Sequence, residues 1–173
     1  MMLPVNEKLF LIHSKKFLKK IIYEKRKNNV ILDQAVSIWN FDEAFKFFDN
    51  LKIIIITRDP RSVYYSMKSR SSNAFPGKDL NIFIKWYQDI FEKFNQTYLK
   101  SRFKQKILLV KFEDFIRHYN HEKKRILRFL KLKEKYNNFD YNYSKQNLLK
   151  AKYYLSKYEL KLIQKNLKPF LQW

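Results

Sequence analysis

The sequence predicts an α/β fold, a parallel sheet flanked by helices, and three observations carry that reading. A run of isoleucines, Ile53–Ile56, stops at Thr57-Arg58-Asp59-Pro60 and gives way at once to a helical pattern. A shorter apolar run, Val30–Leu32, is followed by a second helical pattern over Asn40–Phe48. Beyond both, Phe83, Trp86, Tyr87, Ile90, Phe91, Phe94 and Tyr98 recur at intervals of three and four, which marks a long helix with a wide apolar face. Strands that alternate with helices in this way favour parallel pairing.

Taken in order, Glu7–Lys27 reads as an amphipathic helix with Leu11, Leu18, Ile21 and Ile22 on one side. Val30–Leu32 is a predicted strand leading into Asp33-Gln34, and Asn40 is the predicted N-cap of the next helix. The strand Lys52–Thr57 follows, and Asp59-Pro60 then starts a helix. Asp59 serves there as N-cap and Pro60 as N1, where the missing proline N–H costs no hydrogen bond. Ser69–Lys78, with Pro76-Gly77, is loop-like, and the long helix falls between Asp79 and Arg102, its aromatic stripe read as core. Tyr136–Asn147 reads as a polar, aromatic-rich connection, and Ser156-x-x-Glu159 is a capping box that opens the last helix. No repeat or linker divides the chain, so residues 1–173 are expected to form a single domain.

Arg58 is the residue with the clearest chemistry. It sits at the carboxyl end of a predicted strand and beside a helix N-terminus, the place where open α/β sheets bind ligands. Guanidinium and unpaired helix amides together suit an anion. Arg61 and Ser62, in the first turn of the same helix, are candidates for that anion site.

The segment Leu51–Arg70, LKIIIITRDPRSVYYSMKSR, resembles the 3′-phosphate-binding motif of sulfotransferases that use 3′-phosphoadenosine-5′-phosphosulfate (PAPS). In that family an arginine ends a strand, Asp-Pro or Asn-Pro follows, and a serine eight residues after the arginine lies on the next helix. The arginine here is Arg58 and the serine Ser66, and the resemblance assigns both to the cofactor's 3′-phosphate. Lys106–Leu132 is similar to a later part of the same family. Ile107–Val110 would be its strand, Phe112-Glu113-Asp114 its Tyr-Glu-Asp turn, and Ile126, Phe129 and Leu130 the core face of its helix. Phe112 replaces the tyrosine found near the adenine, which keeps stacking and drops a hydroxyl hydrogen bond. LSKYELKLIQKNL resembles the helix that closes many bacterial members. The Arg-Lys-Gly stretch that precedes that helix in the family corresponds to Ser144-Lys145-Gln146, where only Lys145 fits the 3′-phosphate clamp.

Two further expectations follow from the resemblance. Members with a well-defined mechanism place a catalytic base at the end of the strand before the arginine strand, and that position holds Asp33-Gln34. Asp33 reads equally as a general base for the acceptor hydroxyl and as the cap of the following turn. Full-length members also begin with a strand and a loop rich in Gly, Ser and Thr that cradles the 5′-phosphosulfate. The single glycine, Gly77, follows the Arg58 motif, so the expectation is the C-terminal portion of a P-loop NTPase-like fold, incomplete at its N-terminus. The chain is then either a truncated reading frame or a degenerate domain without the donor loop.

Composition bounds the alternatives. There is no cysteine, which excludes disulfides and thiolate metal sites, and His13, His118 and His121 are too scattered to form a ligand set, so no metal is expected. The apolar runs are too short to span a bilayer and no signal peptide opens the chain, which makes a cytoplasmic location the default expectation. A formal net charge of +21 suggests polyanions, yet the lysines accompany an Asn, Ile, Tyr and Phe excess expected from AT-rich coding DNA. The implied reaction is transfer of a sulfuryl group from PAPS to an acceptor hydroxyl, with a glycan as the expected acceptor and oligomeric state left open. A catalytically inactive nucleotide-binding domain and a basic nucleic-acid-binding protein stay as alternatives, although no helix-turn-helix, RNP or zinc spacing supports specific nucleic-acid recognition.

Overall fold

A computed structural model describes residues 6–23, 30–33, 36–70, 75–134, 141–146, 148 and 150–171. In chain order its regular elements are α1 (Glu7–Tyr23), α2 (Phe41–Phe47), β1 (Ile53–Thr57), α3 (Pro60–Lys68), α4 (Leu80–Lys100), β2 (Ile107–Lys111), α5 (Phe112–Arg117), α6 (Tyr119–Leu130), α7 (Tyr141–Gln146), α8 (Lys150–Tyr154) and α9 (Lys157–Asn166). The two strands pair in parallel, from Ile53↔Ile107 to Thr57↔Lys111. The crossover between them consists of α3 and α4, as a parallel pair requires. The architecture is therefore mixed α/β, with a two-stranded parallel sheet flanked by helices.

Strand alternation decides where the sheet packs. Ile55 is 6% exposed and joins Phe41, Phe45, Phe94 and Ile107 in one core cluster, whereas its neighbour Ile56 is 66% exposed on the other face. A second cluster forms where α3 and α4 meet the C-terminal helices, through Tyr64, Phe83, Tyr87, Ala151, Leu155, Ile163 and Leu167. The aromatic stripe of α4 thus serves both clusters, as its periodicity implies. Glu159 joins α9 to α3: it completes the predicted capping box with Ser156 and also accepts from Lys68 at 2.6 Å and from the Tyr64 hydroxyl at 3.3 Å. Burial first, then Glu159, pushes the Tyr64 phenol up to about 12. On the opposite flank, Arg125 donates to the Leu109 carbonyl at 2.9 Å and fastens α6 to β2. Gly77 stands where a Cβ would lie 2.6 Å from the Met67 Cβ, so the loop before α4 can close onto α3 only with glycine there.

Four local expectations are corrected. Val30–Leu32 forms no strand: the described residues offer it no ladder partner, and Ile31 is 90% exposed. Asn40 occupies the N-cap position of α2 but makes no side-chain capping hydrogen bond. Phe112-Glu113-Asp114 is the first turn of α5 rather than a separate turn, with two acidic residues favourably placed at the positive end of the helix dipole. The predicted polar connection contains α7, which packs against α5, so tertiary contact overrides a weak local signal. Helix α1 is described only to Tyr23, and the rest of the predicted Glu7–Lys27 helix and Gln34 lie outside the described residues. Among the described residues no helix is long and apolar enough to cross a membrane.

Candidate functional site

The site is built where β1 and β2 end together. Because Thr57 and Lys111 are partners in the ladder, Arg58 and Phe112 leave the sheet side by side. The Arg58 guanidinium lies 5.0 Å from the centre of the Phe112 ring, a cation–π contact that holds it at the mouth. Burial lowers the Arg58 pKa, and the carboxylates of Glu113 and Asp59 oppose that shift. An arginine keeps its charge regardless.

The next residue organises the start of α3. Asp59 is fully buried and accepts from the Arg61 amide at 2.9 Å, so it caps α3 as its sequence position predicts. The same carboxylate accepts from Arg61 Nε at 2.9 Å and from a terminal guanidinium nitrogen at 2.7 Å. Arg61 is therefore turned back onto the cap, itself buried, and pairs with Asp59. The two arginines differ in surroundings, one stacked on Phe112 at the mouth and one buried and paired with Asp59.

The Arg58–Asp59 peptide meets two long-range partners. The Tyr87 hydroxyl of α4 donates to the Arg58 carbonyl at 2.8 Å, and Glu113 Oε1 of α5 accepts from the Asp59 amide at 3.0 Å. Burial pushes the Tyr87 phenol well up, and burial likewise raises the Glu113 carboxyl. Ser62 is buried in the first turn of α3, and its Oγ has no hydrogen-bond partner among the described residues. A buried hydroxyl without a partner, one turn beyond a stacked guanidinium at a helix N-terminus, is a donor set that fits a phosphate.

Of the other expected site residues, Ser66 is half-buried one helical turn beyond Ser62 on the same face of α3. Lys145 is exposed on α7, the helix that packs on α5. Asp33 is exposed in a bend and belongs to neither core cluster. Sequence reasoning missed Tyr87 and Glu113. The available signal was a tyrosine inside an otherwise buried apolar stripe, since a buried phenol needs a partner. Beside Arg58, a cavity of about 320 Å³ is lined by Thr57, Tyr87, Phe91, Asn95, Lys111 and Phe170, among others. Among the described residues no group of three or more His, Cys, Asp or Glu side chains could hold a metal ion.

Glu113 makes this site's stability depend on pH with a definite sign. Its folded-state carboxyl titrates above its ordinary value, so the unfolded chain releases that proton more readily. Ionised Glu113 therefore costs stability at neutral pH, and the cost disappears as pH falls through the raised folded value toward the ordinary one. Glu113→Gln should have a higher urea midpoint than the parent at about pH 7 and lose that advantage by about pH 4, close to the unperturbed glutamate value. An advantage that grows toward acid would show that Glu113 is held ionised by its neighbours.

A family model described as "Sulfotransferase family" matches residues 5–136. The match takes in both strands and the whole cluster of Arg58, Asp59, Arg61, Ser62, Tyr87, Phe112 and Glu113, and it leaves Lys145 and the Ser156–Glu159 capping box outside. No curated protein and no solved structure matches the chain.

Proposed function

The chain belongs to the sulfotransferase family, and from that premise we propose that it transfers a sulfuryl group from PAPS to an acceptor hydroxyl, with a glycan as the acceptor class. The observation that carries the reading is Arg58, stacked over Phe112 at the shared end of two parallel strands, next to the Asp59-capped start of α3. Arg58 and Ser66 hold the 3′-phosphate of the nucleotide, with the buried Ser62 hydroxyl as a further donor. Phe112 offers a face or edge to the base, and Lys145 adds a charge from α7. Asp59 and Arg61 fix the helix start that aims these groups.

In the reaction, the acceptor oxygen attacks sulfur, the bond from sulfur to the nucleotide's bridging oxygen breaks, and adenosine 3′,5′-bisphosphate leaves with the electron pair. Asp33 is the proposed base that takes the acceptor's proton. The protein's work is positioning and charge stabilisation, as in phosphoryl transfer. Fold membership in the P-loop NTPase-like class belongs to this proposal and is supported by the parallel strands, with Arg58 at the carboxyl end of β1.

Calorimetric titration tests the reading directly. Adenosine 3′,5′-bisphosphate should bind about tenfold or more tightly than 5′-AMP, because one hydrogen-bonded phosphate on a guanidinium contributes about 1.5–3 kcal/mol. Equal affinities would remove the 3′-phosphate assignment.

A further inference from the structure

The peptide unit joining Arg58 to Asp59 is gripped at both of its polar atoms, from two different helices. Tyr87 of α4 holds its carbonyl and Glu113 of α5 holds its amide, and the two side chains are only 4% and 1% exposed. A peptide is planar, so fixing both its oxygen and its nitrogen fixes its plane. That plane sets the direction in which the Arg58 side chain leaves the strand. A backbone pair at a strand end is ordinarily satisfied by water or by the ladder. Here the fold buries a phenol and a carboxylate, which is unfavourable, and while Glu113 Oε1 takes the Asp59 amide, Oε2 has no hydrogen-bond partner among the described residues. Phe112, immediately before Glu113, simultaneously supports the guanidinium from below.

We infer that Tyr87 and Glu113 are positioning residues that clamp the Arg58–Asp59 peptide and thereby aim Arg58 at the 3′-phosphate, so that nucleotide selectivity depends on two side chains outside the arginine motif. The inference rests on the 3′-phosphate reading of Arg58. A merely structural hydrogen bond at a strand end would affect stability, and any loss of binding would fall equally on every nucleotide. The clamp predicts a loss confined to the ligand that carries a 3′-phosphate.

The experiment measures, on the full chain, the ratio of dissociation constants for 5′-AMP and adenosine 3′,5′-bisphosphate in Tyr87→Phe, Glu113→Met and Glu113→Gln, beside their urea midpoints. Tyr87→Phe and Glu113→Met should each reduce the ratio about tenfold while leaving 5′-AMP affinity within about twofold, the loss of one aligned charge-assisted contact. Glu113→Gln keeps an oxygen that can accept from the Asp59 amide and should retain the parent ratio. If Glu113→Met does not fold, Tyr87→Phe, which removes a single oxygen, carries the test. An unchanged ratio in Tyr87→Phe, or a proportional weakening of both nucleotides, would overturn the clamp. A parent protein that fails to discriminate the two nucleotides would instead overturn the 3′-phosphate reading and the clamp with it, and the parent titration alone identifies that outcome.

Discussion

Asp59→Ala is expected to lower the stability of the protein by about 3–5 kcal/mol, the scale for removing one partner of a buried ion pair. Asp59 is completely buried, and its carboxylate accepts from the Arg61 amide, Nε and a terminal guanidinium nitrogen. Truncation therefore leaves a buried guanidinium with its countercharge removed and takes the N-cap from α3 as well. The cap alone is worth about 1 kcal/mol, and the two losses share one side chain, so they do not simply add. Against a typical domain stability of about 5–15 kcal/mol, the expected change is a large fraction of the total.

Two companion variants separate the terms. Asp59→Asn retains an oxygen for the Arg61 amide and loses the charge, so it should cost less than Asp59→Ala. Adding Arg61→Met to Asp59→Ala should recover much of the loss, because removing both members of a buried pair costs far less than removing one. Urea unfolding with a constant m-value is the measurement. A loss below about 1 kcal/mol in Asp59→Ala would mean that the pair is solvated, as surface pairs are.

The features that were legible in the sequence are those decided by adjacent residues. Ile53–Thr57, the Asp59 cap and Pro60 at the helix start all follow from a single ten-residue stretch, and the Ser156–Glu159 capping box forms with both of its bonds. The α4 stripe was legible because its periodicity runs for about four turns. Most of what failed depended on distant partners. Val30–Leu32 has strand-like composition, but a strand exists only where another strand lies beside it. Asn40 has the right residue type for a cap and the wrong local geometry, with φ −140 and ψ 30. That Arg61 pairs with Asp59 was not legible from its place in the first turn. Tyr87 and Glu113 reach the Arg58–Asp59 peptide across 29 and 54 residues of sequence, a separation at which no local pattern reports contact.

Arg58→Ala should abolish the preference for adenosine 3′,5′-bisphosphate over 5′-AMP, a loss of roughly ten- to a hundredfold on the scale of hydrogen bonds to charged groups. The variant also separates nucleotide binding from the attraction that a net charge of +21 exerts on any polyanion. Binding driven by dispersed lysines releases counterions, so its affinity falls steeply and linearly with the logarithm of salt concentration and is indifferent to base sequence. Binding at Arg58 engages few charges in a partly buried setting against Phe112, so its salt dependence should be shallow. Titrating both a duplex and the bisphosphate across salt, on the parent and on Arg58→Ala, should therefore give two independent behaviours. Duplex affinity should collapse with salt and ignore the substitution, while bisphosphate selectivity should survive salt and vanish with the substitution. Sequence-selective duplex binding that persists at physiological salt and in Arg58→Ala would make nucleic-acid recognition the working function, because counterion release alone cannot produce selectivity among sequences.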